Sequence, residues 1–268
     1  MSASSIQETE NTAVMYRGEP IEILSVLNEI NSLAQQTNWQ RDLISVANEN
    51  LASRVESVAY RRSSKYAKQR IYLSTGIHGD EPAGPVAIRE LLKENRWPDG
   101  VEIWICPCLN LSGFLYNRRE NATGVDLNRD YRKMESEEVR THVSWLKRKP
   151  NFDVTLCLHE DHGARGFYLY ESNPEELPSF GRKILARVAE ACPIDRSPEI
   201  NNLPAENGII QIGGNVYQDF EWTEAIFLAT HKTRLSYTLE SPSQFPLATR
   251  AAALAKAVRA VLDGLTAG

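Results

Sequence analysis

The sequence predicts an α/β protein with a three-layer α/β/α arrangement around a mixed, mostly parallel sheet. Three observations lead to this prediction. Short apolar runs alternate along the chain with longer segments whose apolar residues recur at helical spacing. The chain has 268 residues and a hydrophobic content of 42%, which is enough for one sizeable core. Several apolar runs end in polar residues of the kind that α/β enzymes place where their strands end.

Strands are predicted where short stretches rich in β-branched and aromatic residues lie between turn-forming residues. One such stretch carries Val55, Val58 and Tyr60, and another contains Trp104 and stops before Pro107. The predicted strands are 54–60, 71–75, 101–106, 153–158, 166–171 and 235–240.

Helices are predicted where apolar side chains recur with a period close to 3.6 residues. The predicted helices are 20–37, 84–96, 135–149, 175–192 and 246–265. Residues 38–50 fit neither pattern well. Segment 109–133 has no periodicity and is crowded with Asn, Arg and Gly, which is typical of a functional or disordered segment inside a compact domain.

Composition excludes some classes of partner. The net charge of -5 and the pI near 5.7 argue against a general nucleic-acid binder. No apolar run approaches the length of a membrane span, and the first residues lack the apolar core of a signal peptide. We therefore expect a cytoplasmic protein that binds neither nucleic acid nor membrane, with a flexible tail at 1–18 and one catalytic domain at 19–268. The four cysteines are expected to be buried thiols, and the sequence does not fix the oligomeric state.

His78 and Glu81 lie three residues apart, where the predicted strand 71–75 turns into the next helix. Imidazole nitrogen and carboxylate oxygen are zinc ligands, and a catalytic zinc takes three protein ligands and leaves one position for water. At a turn that enters a helix, residues i and i+3 lie on one face. The small residues around His78, and Pro82 as a helix start, favour a metal site over a solvated His beside a capping carboxylate.

A third ligand is expected at another strand end. His159 follows the apolar run 154–158, and a strand end holds a ligand more rigidly than the polar turn that contains His162. We therefore prefer His159, although a His at such a position is, taken alone, more often structural. Glu240 follows the run 235–239, where a carboxylate does not help a sheet to form. It is either a surface charge or a general base that takes a proton from water.

The irregular segment supplies cations beside these candidates. Arg119 and the pair Asn128 and Arg129 lie within it. An arginine can stabilise an oxyanion beside a metal, and a second one can hold a carboxylate with two hydrogen bonds. Ion-paired surface arginines are the more common alternative for any single position.

Four short motifs carry a resemblance to a known family. They are Gly-Ile-His-Gly-Asp-Glu-Pro at 76–82, Gly-Val-Asp-Leu-Asn-Arg at 124–129, Leu-His at 158–159 and Thr-Leu-Glu-Ser-Pro at 238–242. In this order they resemble the zinc carboxypeptidases of the carboxypeptidase A type and their relatives, the succinylglutamate desuccinylase/aspartoacylase group. The resemblance covers roughly the last three-quarters of the chain and implies a zinc-carboxypeptidase-like (phosphorylase/hydrolase-like) fold.

The resemblance also implies one Zn²⁺ as cofactor and a role for each matching residue. Glu240 would act as the general base and later as the acid to the leaving amine. Arg119 would polarise the scissile carbonyl and stabilise the oxyanion. The family often uses a tyrosine upstream of the catalytic Glu as a lid, and Tyr217 stands at a plausible distance. The zinc ligands would be His78, Glu81 and His159, and the carboxylate of the substrate would be held by Asn128 and Arg129.

Residues 160–163 depart from the family pattern. They read Glu-Asp-His-Gly, which is more acidic than the family usually shows. This departure concerns the substrate pocket and not the metal site. An acidic rim would suit basic or amine-bearing substrates.

Three functions remain open from the sequence. The leading one is a metallocarboxypeptidase-like hydrolase that acts on a peptide or peptide-like amide next to a free carboxylate. The second is an N-acyl amino acid deacylase of the desuccinylase type, which would use the same metal. The residues after Glu240 look helical, whereas a small β-domain is common there in that group, and this favours the peptidase. The third is an inactive binding module on the same scaffold, which the complete ligand set and Glu240 argue against.

Overall fold

The computed structural model describes residues 20–46, 56–213 and 221–266. Eight of the described strands form one mixed sheet, and two further short strands pair as a hairpin. In chain order the strands are β1 (Gln40–Val46), β2 (Glu56–Arg62), β3 (Gln69–Thr75), β4 (Val101–Cys106), β5 (Val154–Asp161), β6 (Tyr168–Ser172), β7 (Glu199–Ile200), β8 (Leu203–Pro204), β9 (Ile209–Gln211) and β10 (Ser236–Pro242).

The strands of the large sheet lie in the order β1-β2-β4-β3-β5-β10-β6-β9. The four in the middle, β4, β3, β5 and β10, are parallel to one another. Antiparallel pairs flank them, with β1 and β2 at one edge and β6 beside β10. Because the middle strands share one direction, their carboxyl ends meet at one edge of the sheet.

Helices cover both faces of this sheet. Helices α1, α2, α5 and α7 pack on one face with Ile71 and Leu73 of β3, whereas α4 and α6 pack on the other with Tyr72. Since successive side chains of a strand point to opposite faces, β3 has to be apolar throughout to serve both layers. The described helices are α1 (Ile23–Gln36), α2 (Ala83–Glu94), α3 (Leu111–Leu115), α4 (Glu137–Lys147), α5 (Gly181–Val188), α6 (Glu224–His231) and α7 (Leu247–Thr266).

The predicted fold class is therefore confirmed, as three layers with a mixed, mostly parallel sheet. Two strand ends differ from the sequence prediction in ways that matter for the site. Strands β5 and β10 continue to Asp161 and Pro242. His159 therefore lies inside its strand and not after it, and Glu240 is not the last residue of its strand. The reason is that the two strands pair with each other over this whole length.

Other differences lie away from the site. The helix predicted at 175–192 is only Gly181–Val188, because Pro178 removes a backbone donor and disfavours helical conformation before it. The ambiguous stretch 38–50 contains β1. The tail expected at 1–18 lies outside the described residues, and the division into tail and domain stays a prediction.

All four cysteines are buried and none forms a disulfide. In the part of the chain that the structure describes, no helix combines the length and the apolar character that a membrane crossing requires.

Candidate active site

A cavity of about 1050 Å³ opens where the carboxyl ends of the parallel strands meet. The cavity extends along β10 from Glu240 to Ser236. This stretch of strand is roughly 13 Å long at the usual rise per residue. Side chains of β6 and α6 line it as well, including Tyr170 and Ile226. Every described residue that the sequence singled out for chemistry lines this cavity: His78, Glu81, Arg119, Asn128, Arg129, His159, His162 and Glu240.

Three of these residues could hold one metal ion. One side-chain ligand atom from each of His78, Glu81 and His159 lies within 4.8 Å of the others. Their exposed fractions are only 2%, 7% and 4%. The first two lie in the turn that joins β3 to α2, and the third lies on the neighbouring strand β5.

The two imidazoles turn the same nitrogen toward one carboxylate. His78 Nδ1 lies 2.5 Å from Glu81 Oε1, and His159 Nδ1 lies 3.0 Å from Glu81 Oε2. The backbone N–H of Glu160 donates to Glu81 Oε2 at 3.1 Å. Two imidazole nitrogens and a carboxylate that converge in a buried site are a donor set that fits Zn²⁺.

The electrostatics around Glu81 and His78 favour positive charge at this point. Burial alone would raise the pKa of Glu81, but the two imidazoles lower it well below its usual range. Burial lowers the pKa of His159, which leaves its imidazole in the neutral form that binds metals. The pKa of His78 is raised in spite of burial, because Glu81 and Asp126 favour positive charge there.

Asp126 stands behind His78, and the sequence analysis gave it no role. Its Oδ1 lies 3.4 Å from His78 Nε2, which is ion-pair distance but outside hydrogen-bond geometry. Its Oδ2 accepts a hydrogen bond from Arg119 Nε at 2.9 Å. A carboxylate on the second nitrogen of a ligating histidine fixes the orientation of the ring. Asp126 belongs to the motif 124–129, so the signal was in the sequence, although the resemblance assigned roles only to Asn128 and Arg129 of that motif.

Gly79, the residue after His78, permits the close approach of α3. A Cβ at this position would lie 2.0 Å from the carbonyl carbon of Gly113. Because the clash would be with backbone, no side-chain movement could relieve it. The glycine that the sequence motif places beside His78 is therefore required by packing.

Glu240 and His159 are partners in the register of β10 and β5. The carboxyl group of Glu240 is partly exposed to the cavity, and no described residue donates a hydrogen bond to it. Burial raises the pKa of Glu240 well above its usual value, and the charges of Glu81 and Asp161 raise it further. This carboxyl group is therefore disposed to hold a proton next to the candidate metal ligands.

Arg119 reaches the same point from the irregular segment. Its Nη1 lies 3.3 Å from His78 Nδ1 and 3.6 Å from Glu81 Oε1. Its Nε is held by Asp126, and nearby carboxylates raise the pKa of Arg119 although burial opposes this. The guanidinium is therefore a fixed positive charge at the edge of the candidate metal site.

Asn128 and Arg129 lie in a short 3-10 helix, Leu127–Arg129, beside the start of α6. Asn128 Oδ1 accepts a hydrogen bond from the backbone N–H of Glu224 at 2.9 Å. Arg129 Nη1 donates to the carbonyl of Asn128 at 2.8 Å, and its nearest described carboxylate is Glu221 at 4.0 Å. The Arg129 side chain is 45% exposed and faces the cavity. It is therefore available to an anionic ligand.

Known proteins resemble this chain in sequence over part of its length and in fold over most of it. A sequence model of the succinylglutamate desuccinylase/aspartoacylase catalytic domain matches residues 67–196. Carboxypeptidase 2 of Trichophyton rubrum is 31% identical over 108 residues, which cover 37% of this chain and 20% of the fungal protein. The match thus spans about one fifth of the length of that curated relative.

Solved structures agree in fold. A candidate metallopeptidase from Shewanella amazonensis matches with a TM-score of 0.76 at 22% identity, over 91% of this chain and 93% of that one. A metallo-carboxypeptidase from Pseudomonas aeruginosa, in complex with (2-guanidinoethylmercapto)succinic acid, matches with a TM-score of 0.64 at 16% identity, over 92% of this chain and 70% of that one. These findings support a likeness to the carboxypeptidase A-type family and its desuccinylase/aspartoacylase relatives. The resemblance seen in the four motifs is confirmed.

His162 lines the cavity but does not join the three candidate ligands, because it lies beyond the end of β5. Tyr217, the predicted lid, lies outside the described residues.

Proposed function

We propose that the chain is a zinc-dependent metallocarboxypeptidase-like hydrolase, which cleaves a peptide or peptide-like amide bond next to a free carboxylate. One observation carries this proposal. The convergent set His78, Glu81 and His159 shares a single cavity with the carboxyl group of Glu240 and the exposed guanidinium of Arg129. A metal site, a proton carrier and an anion-binding group are the three parts that such a hydrolysis needs.

In this proposal His78, Glu81 and His159 hold one Zn²⁺, and Asp126 keeps the His78 ring oriented. When bound, zinc acts as a Lewis acid that polarises a carbonyl and lowers the pKa of water.

Glu240 is proposed as the general base. It takes a proton from the attacking water and later delivers it to the nitrogen of the leaving amine. Two features of the structure support this role. The carboxyl group has no described hydrogen-bond donor, so its oxygens are open to a water in the cavity. The strand register also places Glu240 directly beside His159.

Arg119 is proposed to stabilise the oxyanion that forms at the scissile carbonyl. Its Nε donates to Asp126, and its Nη1 is directed at the candidate metal site. A cation fixed before the reaction stabilises developing negative charge without reorganisation.

Asn128 and Arg129 are proposed to bind the carboxylate next to the scissile bond. The contact between Asn128 and α6 holds the short helix in place, while the Arg129 guanidinium faces the cavity. Tyr217 is proposed as the residue that closes over the bound substrate.

The second candidate function is deacylation of an N-acyl amino acid. It is favoured by the match of residues 67–196 to the succinylglutamate desuccinylase/aspartoacylase catalytic domain. The same ligands and the same Glu240 would serve it, and the carboxylate at Arg129 would then be that of the released amino acid.

Activity assays on protein of known metal content separate these functions. The chain is loaded with zinc and incubated with short peptides, the same peptides with amidated C-termini, and N-acyl amino acids. The proposal expects about one zinc per chain and cleavage that depends on the free carboxylate. Preference for N-acyl amino acids over peptides would favour the deacylase. Substoichiometric zinc, with no activity after zinc is added back, would instead indicate an inactive binding module.

A further inference from the structure

A polar wall borders the cavity next to the proposed catalytic residues. Four side chains form it: Asp161 of β5, Tyr168 and Tyr170 of β6, and Asn201 from the hairpin of β7 and β8. None of them has a part in the function proposed above. The name polar wall is used below for these four residues.

The polar wall lies close to the point where the reaction would take place. Asp161 is two residues after His159 on the same strand, so both side chains lie on one face and their Cα atoms are roughly 6–7 Å apart. Tyr168 is the register partner of Glu240. A substrate group bound at the wall would therefore lie about one residue away from the scissile carbonyl along the substrate.

Hydrogen bonds hold the carboxylate of Asp161 in place. Its Oδ1 accepts from the backbone N–H of Gly163 at 2.7 Å, and its Oδ2 accepts from the hydroxyl of Tyr168 at 2.8 Å. Asn201 Nδ2 lies 2.7 Å from the Tyr168 hydroxyl and 3.0 Å from the Tyr170 hydroxyl. Asn201 Nδ2 also lies 3.4 Å from Asp161 Oδ2, so Oδ1, with the single donor Gly163, is the oxygen with acceptor capacity left.

The turn of the β7–β8 hairpin positions the side chain of Asn201 at the wall. Asn201 and Asn202 form its two-residue turn, with φ of 52° and 60°. Asparagine tolerates this left-handed backbone conformation better than most residues, and such turns favour it. The turn brings the Asn201 amide to the tyrosine hydroxyls, so the wall is built from three separate elements.

Within the described ranges 20–46, 56–213 and 221–266, the charge of the wall has no ion-pair partner. Among the described residues, no Lys, Arg or His nitrogen lies within ion-pair distance of Asp161. The neighbouring Glu160 is the opposite case, because it is buried against the guanidinium of Arg250. Of two consecutive acidic residues, one is neutralised inside the fold and the other is left facing the cavity.

We infer that the polar wall binds a positively charged group of the substrate, an ammonium or a guanidinium, on the acyl side of the scissile bond. This inference rests on the function proposed above. Arg129 and Asp161 are held by different elements, the first beside α6 and the second on β5. Opposite charges at two fixed points bind a short peptide in one orientation, with its carboxylate at Arg129 and its cation at Asp161. The substrate class is therefore short peptides with a free amino group or a basic residue before the scissile bond.

A matched pair of substrates tests this inference. The zinc-loaded protein is assayed with a dipeptide that has a free amino group and with its N-acetylated form, which carries the same C-terminal carboxylate. We expect a kcat/KM for the free amine about tenfold or more above that for the acetylated form, as for a hydrogen bond between charged groups. Asp161→Asn keeps the shape and can still accept from the Gly163 N–H through its oxygen, while its amide nitrogen can donate to the Tyr168 hydroxyl, so that mainly the charge is removed. It should abolish the preference, so that the ratio of kcat/KM for the free amine to kcat/KM for the acetylated form falls to about one, mainly through a rise in KM for the free amine.

The control variant is Glu199→Gln, a loss of charge at an exposed position of the same hairpin, which should retain the preference. A second measurement needs no variant. The ratio of kcat/KM for the two substrates should fall as salt rises, because both share the carboxylate and differ only in the cation. An equal kcat/KM for the two substrates, or a preference that survives in Asp161→Asn, would overturn the inference while hydrolysis itself continued. Absence of hydrolysis of every peptide would count against the proposed function instead.

Discussion

Glu240 on β10 lies directly opposite His159 on the parallel strand β5. Partner residues on adjacent parallel strands project to the same face, so the register of the sheet brings the proposed base beside a proposed metal ligand. A slip of one residue would turn every side chain of β10 to the other face. The site is thus a consequence of strand pairing, which continues past both residues to Asp161 and Pro242.

Glu240→Gln tests the proposed base. It keeps the size of the side chain but cannot accept the proton, so kcat should fall by roughly 10²–10⁴-fold. Zinc content should stay at the wild-type value, because Glu240 is not among the three converging ligands. Steady-state kinetics and metal analysis on the same sample check both statements. Near-normal turnover would show that Glu240 is not the base.

Asp126→Asn tests the residue behind His78. The amide can still accept from Arg119 but no longer presents a charge to the His78 ring, so zinc affinity should fall by about 10–100-fold. Competition with a chromophoric chelator measures this affinity. Asp99→Asn, at a position whose carboxylate side chain is 94% exposed, is the matched control and should bind zinc like the wild type. If both variants bind equally, Asp126 has no part in the metal site.

Arg129→Lys tests the proposed carboxylate clamp. Lysine keeps the charge but loses the planar, two-pronged donor, so KM for a peptide with a free carboxylate should rise by about tenfold or more. The amidated peptide, already a poor substrate, should change little. Arg89→Lys, on α2 and outside the cavity, is the control. An unchanged ratio of KM between the two peptides would rule out a clamp at Arg129.

The fold and the three candidate metal ligands could be predicted from the sequence for one reason. In a parallel α/β sheet the chemistry lies where apolar runs end, and both the runs and the polar residues beside them are local patterns. His78, Glu81 and His159 could therefore be named before their convergence was seen.

The polar wall could not be named because it depends on contacts between distant segments. Asn201 contacts Tyr168 because the two-residue turn of the hairpin lies against β6. No local sequence pattern predicts that contact. The pairing of Glu160 with Arg250 joins positions 90 residues apart. An acidic dipeptide in the sequence looks like two exposed charges, and only the structure shows that one of them is neutralised.

Glu224 gives a prediction about stability and pH. This fully buried carboxyl group accepts hydrogen bonds from Ser74 and Tyr72, and burial raises the pKa of Glu224 to about 7. Between the unfolded pKa of about 4.3 and this value the folded state holds the extra proton, so this group makes stability fall as pH rises. His142, which shares the Tyr72 hydroxyl, acts in the opposite sense because burial lowers the pKa of His142 to about 3.

The difference between Glu224→Gln and the wild type isolates the carboxyl group, since His142 is common to both. Between these two pKa values, the free energy of unfolding of Glu224→Gln minus that of the wild type should increase as pH rises. Urea denaturation at a series of pH values, in the presence of chelator, measures this difference. A difference that is independent of pH would show that Glu224 does not titrate in this range.

The ion pair of Glu160 and Arg250 gives the last prediction. Both side chains are almost completely buried, and Glu160 also accepts from the backbone N–H of Ala83 at the start of α2. Arg250→Met leaves a buried carboxylate without its cation, which should lower the free energy of unfolding by about 3–5 kcal/mol. The double variant Glu160→Gln and Arg250→Met removes both charges and should recover much of this loss, because the neutral amide costs less to bury. Chemical denaturation of the metal-free proteins compares the two. If the single variant is as stable as the double one, the charge of Glu160 is not compensated by Arg250.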